Sequence, residues 1–251
     1  MAVAIRAVIL DYDGTSCDSW PQAIKIIREL LVEFDGSDTK SKELAIRRQW
    51  GYAAAEAFKN ALPHADYDAL NDFWIKNLKL ASSIKPLELI NGAQETLSWL
   101  SRSNIVRVLL TNRKAKHLAP AIPPSLNLTE NFEIVQTFFD HKHAEERFID
   151  HPLHITAQHA KPDRRAFRPV LQTLKRDYGI TATEIISVGD ALVDLEVARA
   201  NNITFVGVLT GPLNTHLRWI KWASQKGVAI NDDEIIPSIK NLPVWIERMN
   251  S

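Results

Sequence analysis

The chain has 251 residues, with 30 basic and 30 acidic side chains, no net charge, 45% hydrophobic and 24% charged residues. This is the mix of a soluble globular protein, long enough for one large domain or a core with a smaller insertion. It lacks the basic excess of a nucleic-acid binder and the acidic tract of a solvating tail, and no apolar run approaches a bilayer span. Cys17 is the single cysteine, so a disulfide within the chain is ruled out and a reducing, cytoplasmic compartment is expected. The opening "MAVAIRAVIL" is broken by Arg6 and followed at once by Asp11, which does not read as a signal peptide.

In chain order, "AVIL" (7–10), with Val3–Ile5 upstream, reads as a buried strand running into "DYDGT". The stretch 18–85 then reads as wholly helical. "PQAIKIIRELLVEF" has helical spacing behind an initial proline, and "SKELAIRRQWGYAAAEAFKNAL" and "DYDALNDFWIKNLKLA" keep the period. From Pro86 the pattern alternates. The helix "GAQETLSWLSR" precedes a strand at Ile105–Thr111, and another strand is expected at Phe132–Phe139. "RRAFRPVLQTLKRDY" leads to the strand Glu184–Gly189, and "LVDLEVARANN" to the strand Ile203–Leu209. Most strands are continuous apolar runs, the mark of parallel strands covered on both faces. The expected fold is α/β: a doubly wound, Rossmann-like parallel sheet core (1–17 and 86–251) with an inserted all-helical domain (18–85). Asn201–Asn202 suits a left-handed helix end.

Two carboxylates, Asp11 and Asp13, stand at the end of the first strand, where ligands sit in open α/β sheets. Burying such a pair is costly unless a cation joins it, and magnesium, which takes oxygen ligands, would meet that need. A plain Asp-Gly turn explains the same residues. A helix-loop-helix calcium loop does not, since the glycine is misplaced and Gln22 stands where a bidentate Glu belongs. Further along, Thr111 in "VLLTNR" offers a hydroxyl to a phosphate oxygen, or a helix cap. Lys161 in "HAKPDRRAF" is a cation within reach of that sheet edge, or ordinary surface. Asp190 and Asp194 in "SVGDALVD" fall on one face of a first helical turn, where acidic residues also suit the helix dipole.

Taken together, "DYDGT", "TNR", "KP" and "GDALVD" resemble, in order, the four motifs of the haloacid dehalogenase-like hydrolase superfamily. "TSCDS", "KPDRRAF" and "FVGVLTG" are similar to its phosphoglycolate phosphatase-like branch, and the resemblance spans essentially the whole chain, loosely over the helical insertion. It implies Asp11 as nucleophile forming an aspartyl-phosphate, and Asp13 as general acid and then base. It implies Thr111 and Lys161 as holders of the phosphoryl oxygens, with backbone amides of Gly14 and Asn112 as added donors. A magnesium ion (Mg2+) would be held by Asp11, the Asp13 main-chain carbonyl and Asp190, with Asp194 acting through water or orienting Lys161.

The same resemblance implies a magnesium-dependent phosphatase acting on a small phosphorylated metabolite, phosphoglycolate-like or a sugar phosphate. A sugar phosphomutase shares every motif and stands as the alternative, with a non-catalytic scaffold behind it. Dehalogenases lack the second aspartate, which is present here as Asp13. A phosphate-storing receiver domain lacks both that acid and a long cap. The inserted helices resemble a mobile cap, and "AIRRQWGYAAAEAF" resembles its specificity segment, so Arg47, Arg48, Trp50, Gly51 and Tyr52 are candidates to touch substrate. Two departures stand out: Arg113 where lysine is frequent, and Asn201–Asn202 in place of Ala-Gly. The stretch 139–159 holds five histidines but no standard zinc spacing, and is expected to be a surface loop. Trp219 and Trp222 are read as the patch of an expected homodimer. No nucleic-acid or membrane partner is expected.

Overall fold

In the computed structural model, which describes residues 4–35, 39–52, 54–139 and 149–250, the first apolar run forms β1 (Ala7–Leu10), buried at every position. Successive side chains in a strand point to opposite faces. Val8 and Leu10 therefore enter one core, and Ala7 and Ile9 another. The helices α1 (Trp20–Asp35), α2 (Thr39–Arg48), α3 (Ala54–Ala61) and α4 (Tyr67–Ile84) follow, then α5 (Ala93–Arg102) and β2 (Val106–Lys114). After α6 (Ala115–Leu118) and α7 (Leu128–Asn131) come β3 (Ile134–Phe138), β4 (His154–Ala157), α8 (Arg168–Tyr178) and β5 (Ile185–Gly189). The chain ends with α9 (Leu192–Ala200), β6 (Thr204–Val208), α10 (His216–Gln225), β7 (Ile235–Ile236) and α11 (Leu242–Asn250).

Among the described residues, seven strands form one sheet in the order β4-β3-β2-β1-β5-β6-β7, and every pairing is parallel. Parallel strands need crossover connections, and the helices that supply them cover both faces. On one face Leu97 and Trp245 pack beneath Leu10 and Leu109. On the other, Phe167, Leu174, Leu195 and Trp219 pack against Ile9 and Val108. Each fully buried Ile or Leu contributes about 1.5–3 kcal/mol, which offsets the cost of holding charged groups at the sheet edge. The α/β expectation therefore holds. Helices α1–α4 build a third core from Ile27, Leu30, Ile46, Phe58, Leu70 and Trp74. Trp50 joins it edge-on to Trp20 and Trp74, with ring centroids 5.0 and 6.0 Å apart.

Several expectations need correction. The sheet gains two edge strands, β4 and β7. The first lies in the histidine-bearing stretch read as a loop, where His154 Nε2 is 2.9 Å from Thr137 Oγ1 across the β3–β4 pair. His141 and His143 lie outside the described residues. Trp219 and Trp222 are 0% and 4% exposed, and Trp219 Nε1 donates to Val208 O at 3.2 Å. They are interior residues, and the dimer patch drawn from them is not present. Asn202 does take the left-handed conformation, with φ 56°. Among the described residues no helix is long and apolar enough to cross a membrane.

Candidate active site

From β1 the chain fills one side of the sheet through β2, β3 and β4, then returns to place β5 on the other side of β1. A crevice opens at such a switch point beyond the carboxyl ends of the strands, and Asp11 stands there. Its amide donates to Val188 O at 3.0 Å, prolonging the β1–β5 ladder by one residue. The chain then turns sharply. Ser16 and Cys17 amides donate to Tyr12 O, and Ser16 Oγ donates to Asp11 O at 2.8 Å. The Gly14 amide donates to Cys17 O at 2.8 Å. It is consumed by the turn, which corrects the expectation that it faces a phosphoryl oxygen. The glycine serves differently: its φ is +68°, and a Cβ there would lie 2.0 Å from Asp190 Oδ2.

The second motif sits in an irregularity of β2. Pairing with β3 shifts register between Leu110 and Lys114, and Thr111, Asn112 and Arg113 lie in that interval. Bulges re-aim side chains beside active sites. Here Thr111 is buried and its Oγ accepts from the Arg113 amide at 3.1 Å, which leaves the hydroxyl proton free to donate. The Asn112 side chain binds the backbone of Lys161 at both ends: Oδ1 accepts from Lys161 N at 2.8 Å and Nδ2 donates to Lys161 O at 2.9 Å. The same Nδ2 donates to Gly51 O of the helical insertion at 2.7 Å.

Lys161 is 4% exposed. Its Nζ donates to Asp11 Oδ1 and Asp194 Oδ1, each at 2.6 Å, and lies 3.4 Å from Leu110 O. Asp194 sits in the first turn of α9, where its Oδ2 accepts from Ala191 N at 3.2 Å. Asp190 follows β5 and is 1% exposed, and its Oδ2 has no hydrogen-bond partner. It is held between two glycines: a Cβ on Gly211 would lie 1.8 Å from the same oxygen. Asp11, Asp190 and Asp194 each present an oxygen within 4.8 Å of the others. The Asp13 side chain is outside that set and pairs with Arg113.

Asp11 and Asp194 share the Lys161 ammonium while Asp190 stands beside them unpaired at Oδ2, so the four groups together carry a formal charge of −2. Burial, with Asp194 and Asp13 adding to it against the pull of Lys161, pushes the Asp11 carboxyl up to about 7. Burial and then Asp11 push Asp190 well above the usual range. Burial works against the charge on Lys161, but Asp11 and Asp194 outweigh it and hold the ammonium above the ordinary lysine range. Burial likewise opposes ionisation of Asp13, and Arg113 outweighs it, so that carboxyl lies low. An all-oxygen cluster with one orphaned, buried carboxylate oxygen suits a hard divalent cation.

The insertion meets this site through Gly51, whose φ is +89° and where a Cβ would lie 2.4 Å from Val193 Cγ2. Next to it Tyr52 OH donates to Glu196 at 2.9 Å, and Lys226 Nζ donates to Tyr52 OH at 3.1 Å. The other candidates from this segment are engaged elsewhere. Arg47 pairs with Glu43 and lies over the Trp20 ring, and Trp50 is in the insertion's core. Arg48 lies over Trp222 and lines a seam cavity of about 370 Å³ with Gln49, Tyr52 and Lys226, a cavity that Leu192 of the fourth motif also lines but that none of Asp11, Asp13, Thr111, Lys161, Asp190 and Asp194 lines. Sequence reading missed the Asn112 side-chain bridge and the Arg113–Asp13 pair. The signal for both was the tripeptide "TNR" itself, since three polar residues closing an apolar strand mark a bulge.

Residues 5–202 match the sequence family described as haloacid dehalogenase-like hydrolase. The chain is 28% identical over 216 residues to the phosphoglycolate phosphatase of Pseudomonas putida, and 26% identical over 216 residues to that of Pseudomonas fluorescens. Each alignment covers 82% of this chain and 70% of the relative. Its fold is similar to that of a hydrolase from Pseudomonas syringae, with TM-score 0.65, 16% identity and coverage of 97% of this chain and 98% of the other. It is also similar to a subfamily IA hydrolase of the same superfamily from Geobacter sulfurreducens, with TM-score 0.55, 18% identity and 96% coverage of each chain.

Proposed function

The chain belongs to the haloacid dehalogenase-like hydrolase family, and within it we propose a magnesium-dependent phosphatase that cleaves a small phosphomonoester through an aspartyl-phosphate. Phosphoglycolate is the first candidate, because curated relatives at 28% and 26% identity bear that activity in their names. The observation that carries the reading is the placement of Lys161 between Asp11 and Asp194, beside an Asp190 oxygen with no partner.

In this reading Asp11 attacks phosphorus while the ester oxygen departs, splitting one hard displacement into two easier ones. Asp13 gives the leaving oxygen its proton, then takes one from the water that attacks the acyl phosphate. Thr111 donates its free hydroxyl proton to a phosphoryl oxygen. Lys161, already fixed on Asp11, offsets the negative charge of the incoming group. Asp11, Asp190 and Asp194, with the Asp13 carbonyl, would hold the magnesium ion. That ion supplies Lewis acidity and lets two anions approach each other. The helices of 18–85 act as a cap, which excludes water from the reacting centre.

The test is phosphate release from a panel of phosphomonoesters, with and without magnesium, for wild type and Asp11→Asn. Magnesium-dependent release by wild type, abolished in the variant, is expected. Release that survives Asp11→Asn would remove the nucleophile assignment. No release from any ester would remove the phosphatase reading.

A further inference from the structure

Arg113 enters the site on the far side of the bulge, and it grips Asp13 with a two-pronged contact. Nε donates to Asp13 Oδ2 at 2.7 Å and Nη2 donates to Asp13 Oδ1 at 2.6 Å. The guanidinium is itself fixed. It lies 5.5 Å from the Tyr12 ring centroid, and its Nη1 is 3.4 Å from His117 O. Tyr12 is fully buried and anchored by its hydroxyl, which donates to Ala121 O at 2.6 Å. A planar fork sets both the position and the plane of the carboxylate it holds, which a lysine ammonium cannot do. The Ser19 side chain also acts on the Asp13 carboxylate, but it is Arg113 that holds both carboxylate oxygens.

We propose that Arg113 is a positioning residue that aims Asp13 for proton transfer at the leaving oxygen. The inference rests on the reading of Asp13 as the proton donor. In the first step the P–O bond breaks and its electron pair goes to the leaving oxygen. That oxygen takes the proton from Asp13, and Asp11 forms the new bond to phosphorus. A carboxyl that bears a proton can keep only its other oxygen in the fork. One prong of the pair therefore opens while the second holds the side chain in line. In the next step the attacking water gives a proton to Asp13, which returns it to solvent after phosphate release so that the full fork re-forms on the carboxylate. The proton that Asp13 donates in each first step is taken up from solvent as substrate binds.

The experiment compares an alkyl phosphomonoester, whose leaving alkoxide needs a proton, with p-nitrophenyl phosphate, whose phenolate leaves without one. Release of the alcohol or phenol in a single turnover isolates the first step. For Arg113→Ala the alkyl rate should fall about 100-fold, the low end of general acid catalysis. The aryl rate should change by less than about threefold, since that leaving group bypasses the acid. Arg113→Lys, which keeps the charge and loses the fork, should show the same selectivity with about a tenfold alkyl loss. Equal loss on both substrates, or alkyl release at the wild-type rate in either variant, would overturn the inference. Asp13→Asn is the control for the underlying reading. If it discriminates between the leaving groups and the Arg113 variants do not, only the role of Arg113 falls. If it fails to discriminate, the acid assignment itself falls.

Discussion

Replacing Lys161 by methionine removes the cation that pairs with buried Asp11 and Asp194, beside a third buried carboxylate, Asp190. The wild-type ammonium makes two contacts of 2.6 Å and is 4% exposed, so water cannot take its place. Breaking a buried pair by deleting one partner costs about 3–5 kcal/mol, and each kcal/mol shifts the melting temperature of a chain this size by about 2–4 °C. The expected fall is therefore about 6–20 °C at pH 8 in chelator. The loss must depend on pH with a definite sign. Without Lys161 the carboxyls are neutral to higher pH, and a neutral carboxyl is cheap to bury, so the gap narrows as pH falls and widens as it rises. Magnesium in excess should restore part of the loss by binding the same oxygens. The assay is thermal unfolding of both proteins between pH 5 and 8, in chelator and in magnesium. A variant that melts within about 2 °C of wild type in chelator at pH 8 would refute the idea that these carboxylates are buried together around one lysine.

Asp11 itself predicts a second pH effect. Its carboxyl, raised to about 7, binds a proton more tightly folded than unfolded, so its contribution is full below the ordinary value of 3.8 and lost as pH climbs through 7. In chelator, wild type should lose stability relative to Asp11→Asn across that window. A difference curve that is flat or rises with pH would remove this account. Gly211→Ala places a Cβ 1.8 Å from Asp190 Oδ2. It should displace that carboxylate and weaken magnesium binding at least tenfold by calorimetry, about 1.4 kcal/mol, and unchanged binding would contradict the cradle. Tyr52→Phe removes the hydroxyl shared by Glu196 and Lys226. If the insertion closes over substrate, KM should rise about two- to tenfold with phosphate release otherwise intact, the worth of one or two hydrogen bonds. An unchanged KM would detach that contact from closure.

The sequence alone determined the frame. An unbroken apolar run such as "AVIL" has no polar face to give to water, so it must be covered on both sides, and alternation with amphipathic helices makes the sheet parallel. The order of the four motifs and their positions after strands were equally local facts, and Asp11, Thr111, Lys161, Asp190 and Asp194 all come to one sheet edge as that order implies. Short edge strands escaped notice, since β7 has two residues and β4 carries polar side chains, and neither holds enough apolar pattern to show a period. What only the tertiary structure decided was the pairing of groups far apart in the chain. Arg113 lies 100 positions from Asp13 and meets it because a bulge turns the second motif toward the first turn. The Gly14 amide was lost to that turn's own hydrogen bonds. Trp219 and Trp222 proved to be core because α10 lays that face on β6, with Trp219 beside Phe205 and bonded to Val208. Residue type states what a group can do, but which of several competing partners it meets depends on how distant elements pack.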